Sequence, residues 1–163
     1  MQRMVGVWKV EQRFWPGAGA EPIDLPPAIA RRRMVEGAFL EEIMESERAS
    51  GPTSFTRIAY LNYNAVNRQY EYFSLDSRAP QMMNERTYEA GVEGRSANGN
   101  GMTLYGDSFV APRWGEARNA GFRYRITIRA VENDRQLVHL HLTPQSEEGR
   151  EFLAFEYVYV RLN

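Results

Sequence analysis

The stretch LVHLHLT (137–143) holds the only two histidines of the chain, His139 and His141. Spaced i, i+2 on a strand, they share one face about 7 Å apart, a separation that suits two ligands of one metal ion. The other side chains singled out for chemistry are arginine, glutamate and tyrosine. In ARRRMVEGAFLEE (30–42), a turn at Glu36-Gly37-Ala38 sets Met34 opposite Leu40, which brings Arg32 opposite Glu42 and Arg33 opposite Glu41. A guanidinium can grip a carboxylate through charge-assisted hydrogen bonds, and a glutamate or tyrosine beside it can move a proton. No cysteine is present, which leaves neither thiol chemistry nor a disulfide framework.

The elements that position these groups follow from period-two alternation, which recurs along the chain while helical periodicity does not. It predicts strands over 4–15, 28–35, 39–48, 54–63, 69–76, 81–90, 101–110, 122–131, 136–143 and 151–162, with a polar, proline-rich loop running to Pro27. Short turns of Gly, Asn, Asp and Pro join them. Ten short strands with no helix to cover them do best by closing on themselves, since closure removes the edges. The expectation is an all-β fold, a single antiparallel up-and-down barrel of about ten strands in one domain over 1–163. The glycines of GVEGRSANGNG (91–101) lack the Lys-Ser/Thr of a phosphate loop and read as turn glycines.

Composition narrows the function. The chain has 163 residues, a net charge of −1, 43% hydrophobic residues, nine Tyr, eight Phe and three Trp. Near-neutral charge gives no electrostatic reason to expect nucleic acid or an anionic membrane as partner. No apolar run approaches the roughly 20 residues that span a bilayer. The N-terminus reads directly into a strand and not into a signal peptide, so a cytoplasmic protein is expected, with a homodimer allowed.

Register decides the histidines. Val138, Leu140 and Leu142 oppose His139 and His141 across one strand, as Ile126 and Ile128 oppose Arg125 and Thr127 across the preceding one. Pairing apolar face to apolar face, with Ile128 opposite Val138, places His139 beside Thr127 and His141 beside Arg125, on the polar outside. A fixed cation there opposes metal binding, and the preceding strand offers no acidic third ligand. No metal, no Ser-His-Asp relay and no haem with an inward axial histidine is expected.

Two stretches at the ends of the chain carry a resemblance. VGVWKV holds Gly6-x-Trp8 on the first strand, and YVYVRL holds Arg161 on the last. The combination resembles the calycin or lipocalin-like barrels, in which the first-strand Trp crosses the barrel floor and a basic residue of the last strand packs over it. With GVWKVEQRFWPGAG, ARRRMVEGAFLEE, RIAYLNYNAVNRQYEYFSLDS and GREFLAFEYVYVRL, nearly the whole chain resembles the bacterial DUF1579 proteins, a family of unknown function. Such proteins carry a short helical lead-in before the Gly-x-Trp strand, which here is expected to be missing or trimmed. The resemblance implies a lipocalin-like barrel with an internal cavity, closed by Trp8 and Arg161.

With Trp8 inward, Met4, Val10, Gln12 and Phe14 turn inward as well. The more apolar face of the first hairpin holds Arg32, Met34, Leu40, Glu42 and Met44, and an even register after NAVN (64–67) sets Tyr60 opposite Tyr72. The expected ligand site is therefore Phe14, Arg32, Met34, Glu42, Met44, Tyr60 and Tyr72. It would hold a small hydrophobic or amphipathic molecule, without a cofactor. The alternative is a barrel enzyme of lyase, decarboxylase or cyclase type, using interior Tyr, Arg and Glu.

Overall fold

Alternating apolar and polar side chains carry the chain through ten strands in the computed structural model, which describes residues 1–48, 54–86, 101–145 and 149–162, and the backbone alone over 79–86. The strands are β1 (Gly6–Phe14), β2 (Ile23–Val35), β3 (Phe39–Ser46), β4 (Thr56–Asn64), β5 (Gln69–Asp76), β6 (Ala79–Arg86), β7 (Gly101–Trp114), β8 (Ala117–Glu132), β9 (Arg135–Pro144) and β10 (Phe152–Arg161). Each pairs antiparallel with the next, and β10 returns to β1, with Trp8 opposite Arg161, to close an up-and-down barrel. The seam between β6 and β7 is thin, held by Glu85 opposite Gly106 and Arg86 opposite Tyr105. The glycine-rich stretch 91–101 lies, apart from Gly101 at the start of β7, outside the described residues, as do the last residues predicted for the sixth strand.

The structure differs from the alternation pattern at three places. The segment predicted as a loop up to Pro27 is already strand from Ile23, because a register shift between Val10 and Gln12 lets β1 pair with Leu25 and Asp24 past the prolines. Proline is tolerated at such an irregularity because no ladder donor is needed there. Gln12 Nε2 donates to the Pro26 carbonyl at 2.8 Å. Likewise β7 and β8 extend well beyond 110 and before 122, meeting at Trp114 opposite Ala117, with a register shift between Gly106 and Phe109 absorbing the mismatch. At the start of the chain, Gln2–Met4 forms a single 3-10 turn where the pattern predicted strand from Met4 and no helical lead-in.

Inside the barrel, Trp8, Val10, Ala28, Ala30, Met44, Leu104, Ile126, Ile128, Val138 and Tyr159 form one buried cluster toward the end where β1 begins. Aromatic rings fill the other end, where Phe14 packs on Trp114 and Phe155 at 5.2 and 5.1 Å, and Trp114 on Phe122 at 5.8 Å. The interior is thus graded along its axis. The first end carries the Arg32–Glu42 charges among aliphatic side chains, Trp8 and Tyr159, and the second is mainly aromatic.

On the outer face the predicted β8–β9 register holds, with Ile128 opposite Val138, His139 opposite Thr127 and His141 opposite Arg125. The sequence reading weighed only β8 for a third ligand. On the other side, β10 sets Glu156 opposite His139, and Nε2 of that histidine meets a Glu156 oxygen at 2.9 Å. Glu156 is also paired with Arg13, so its charge is already shared. Among the described residues no group of three His, Asp or Glu is arranged to hold a metal ion. Burial, then Arg125, pushes His141 below the ordinary histidine range. His141 therefore stays neutral in the fold where an unfolded chain would take up a proton, and stability declines as pH falls through that range. Replacing both histidines by Gln is expected to change stability by no more than about 1 kcal/mol at neutral pH. Urea titrations at pH 7.5 and 5.5 check this: the variant should lose less stability between the two pH values than the parent.

Candidate functional site

The N-terminal end of the barrel is stoppered by an indole. Trp8 is fully buried, its Nε1 donating to the Met4 carbonyl at 3.0 Å, and the Arg161 guanidinium lies 4.2 Å from the ring centroid. Gly6 makes this possible: its φ is +134°, and a Cβ there would collide with the Arg161 guanidinium. Arg161 also donates to the Val5 and Arg3 carbonyls at 2.5 Å each, tying the 3-10 turn over the indole.

Beneath this stopper lies a desolvated charge cluster. Arg32 and Glu42 face each other across β2 and β3, with side chains only 4% and 7% exposed, and Arg32 Nε donates to Glu42 Oε2 at 2.6 Å. Arg32 Nη1 donates to Gln136 Oε1 at 2.6 Å, and its guanidinium stacks 4.1 Å from the Tyr159 ring centroid. Oε1 of Glu42 accepts from Arg57 Nη1 at 3.1 Å and from the Tyr159 hydroxyl at 3.3 Å, while Arg57 Nη2 donates to the Tyr72 hydroxyl. Each carboxylate oxygen is thus engaged, as burial of a charge demands.

Electrostatics follow from that geometry. Burial alone would raise the Glu42 pKa, but Arg32 and Arg57 beside it hold the carboxyl below its ordinary value. Burial, then the Glu42 charge, pushes the Tyr159 hydroxyl well up. Toward the other end, burial raises and Arg78 more than offsets, so Asp76 too sits below the ordinary range. Both carboxyls have pKa values lower in the fold than in the unfolded chain. Their stabilisation is complete above the ordinary carboxylate range of about 4 and is lost as pH falls through their folded values. Urea midpoints measured from pH 6 to pH 2.5 are expected to fall most steeply below about pH 4, and Glu42→Gln should flatten that fall.

The cluster floors a cavity of about 20 Å³, walled by Met4, Leu40, Leu61, Ile128 and Val138, with Arg32, Glu42, Tyr72 and Tyr159 supplying its polar surface. That is room for about one water-sized group. A wider groove of about 450 Å³ outside the barrel, bordered by Ile29, Arg31, Ser46, Arg48 and Phe55, has mostly exposed polar walls and no desolvated ion pair.

Of the residues expected to share a site, Arg32, Glu42 and Tyr72 come together at the cavity. Met44 is fully buried opposite Ala30 and Arg57, and Met34 is half-buried opposite Leu40; neither lines the cavity. Phe14 stands about six residues further along β1, in the aromatic end. Tyr60 lies on the outer face, donating to Glu41 at 2.9 Å, because β4 and β5 pair with Tyr60 opposite Phe73 and Leu61 opposite Tyr72. The cause is the turn. Asn64 Oδ1 accepts from the Val66 and Asn67 amides at 3.0 Å each, and Arg68 adopts φ +54°, so the loop spans four residues between the paired Asn64 and Gln69. That is one residue out of step with the expected register, so with Tyr72 inward the whole of β4 shows the opposite face, Leu61 inward and Tyr60 outward.

Arg57, Gln136 and Tyr159 are the site residues that the sequence reading missed. Gln136 had a signal, being the polar member of a face that continues through Val138, Leu140 and Leu142. Arg57 had none, since both faces of β4 mix polar and apolar residues.

Fold and site together define a closed antiparallel β-barrel whose interior holds an arginine–glutamate cluster under a tryptophan stopper. The chain belongs to the family described as protein of unknown function (DUF1579), whose model matches residues 1–161. No curated protein matches the chain.

Proposed function

We propose that this protein is a lipocalin-like binding protein that holds a small amphipathic molecule at the N-terminal end of its barrel. The carrying observation is the cavity itself, where aliphatic walls converge on a desolvated polar floor of Arg32, Glu42, Tyr72 and Tyr159. Apolar enclosure with a few convergent polar groups is how small-molecule sites are built. The chemistry of the floor favours binding over proton transfer. Glu42 is held ionised with both oxygens occupied, which makes it a weak base, and Tyr159 holds its proton tightly.

The free volume is smaller than any such ligand, so binding must displace something. Met4 is the wall residue that lies outside the strands, on a single 3-10 turn. Met4→Ala is expected to enlarge the cavity and tighten binding. The check is native mass spectrometry of freshly purified protein, followed by NMR of the Leu40, Leu61, Ile128 and Val138 methyls during titration with six-carbon amphipathic molecules. Saturable shifts at these methyls, larger for Met4→Ala, support the reading. Shifts confined to outer-face methyls, or none in either protein, overturn it.

A further inference from the structure

We infer that the polar end of the bound molecule is a carboxylate, received by Arg32. This rests on the binding role proposed above and names the chemical class it serves.

The argument is a count of hydrogen-bonding capacity at the cavity floor. On the acceptor side Glu42 is spent, with Oε2 taken by Arg32 and Oε1 shared by Arg57 and Tyr159. On the donor side Arg32 is not spent. It lines the cavity with its side chain 4% exposed, Nε and Nη1 are engaged, and Nη2 donates to no acceptor among the described residues. A guanidinium carries five N–H groups, and Nη2, which is not among the fully buried atoms left without a partner, keeps its own for an incoming acceptor. Charge points the same way: among the described side chains the cluster sets two guanidiniums, Arg32 and Arg57, against the single carboxylate of Glu42. Among the described side chains the floor offers no further anionic acceptor. The Tyr159 ring beneath Arg32 and the Gln136 amide on Nη1 fix the guanidinium plane, so its free edge is presented in one orientation. Since the free volume of about 20 Å³ must be widened by any ligand, a flat carboxylate terminus demands less displacement of the walls than a tetrahedral phosphate or sulfate, and the aliphatic walls suit a short apolar body.

The test uses three probes of one shape and different ends: hexanoate, hexan-1-ol and hexylamine, titrated into the full chain and followed by methyl NMR. Hexanoate is expected to bind about tenfold or more tightly than hexan-1-ol, the scale of one charge-assisted hydrogen bond, with hexylamine weakest. Arg32→Met should bring the hexanoate and hexan-1-ol affinities together, while Tyr60→Phe, on the outer face, should keep them apart. Should Arg32→Met fail to fold, hexanoate labelled with ¹³C at its carboxyl decides on the parent protein. Bound to Arg32, its carboxyl should titrate at lower pH than free hexanoate. Equal binding of the three probes, or an unshifted carboxyl titration, overturns the carboxylate inference and leaves the binding role standing. Preference for hexylamine overturns it likewise. No binding of any probe overturns both.

Discussion

Glu42→Ala is expected to cost the fold about 3–5 kcal/mol, the scale found when one partner of a buried ion pair is removed. Glu42 is the only described carboxylate bonded to either Arg32 or Arg57, and all three side chains are less than a tenth exposed. Its loss leaves two desolvated guanidiniums facing each other, and the Tyr159 hydroxyl loses its acceptor. Glu42→Gln keeps the shape and one acceptor oxygen, so it should cost less than Glu42→Ala, through the missing charge and an amide NH2 that turns toward a donor. Arg32→Ala should be costly as well, but the double variant should cost clearly less than the sum of the two, because neither partner is then stranded beside the other. Equilibrium urea unfolding of the four proteins, with unchanged m-values, supplies the cycle. A near-neutral Glu42→Ala would mean that the cluster is hydrated, and the site described above would lose its physical basis.

Trp8→Ala is expected to rank beside it, at about 3–5 kcal/mol, from lost transfer energy and the void left behind. The indole is fully buried, meets Tyr159 edge-on at 6.4 Å, and lies under Arg161 at 4.2 Å and near Arg32 at 5.5 Å. Its removal takes the aromatic face from two cations and the anchor from the 3-10 turn. Arg161→Ala should cost less, since that side chain covers the ring from the half-buried rim and its stem contributes packing alongside its charge. The two variants differ in a second readout. Trp8→Ala should open the cavity to solvent and broaden the Ile128 and Val138 methyl signals, whereas Arg161→Ala should loosen the Met1–Val5 segment with the core intact. Indole fluorescence that an aqueous quencher reaches at Trp8 in the native protein would contradict the stopper.

Local alternation was enough for the strand count, the antiparallel order and the faces of β2, β3, β8 and β9. In these hairpins one face is distinctly more apolar, so the hydrophobic effect admits only one register. The same logic reached the Arg32–Glu42 and Arg33–Glu41 pairings and the outward histidines, because pairing across a short turn is a local matter. Tertiary structure decided what local pattern left undetermined. In β4 both faces carry tyrosine and polar residues, and in β5 both mix aromatic and polar ones, so the Asn64 turn set the register and sent Tyr60 outside. Phe14 has the parity of Trp8 but not its depth, since parity fixes a face and only the closed barrel fixes a level along its axis. The meeting of Arg32 with Gln136, and of Glu42 with Tyr159, joins residues more than a hundred positions apart. No turn or spacing encodes such contacts. They exist because β10 closes on β1 and brings opposite walls of the barrel within reach of one carboxylate.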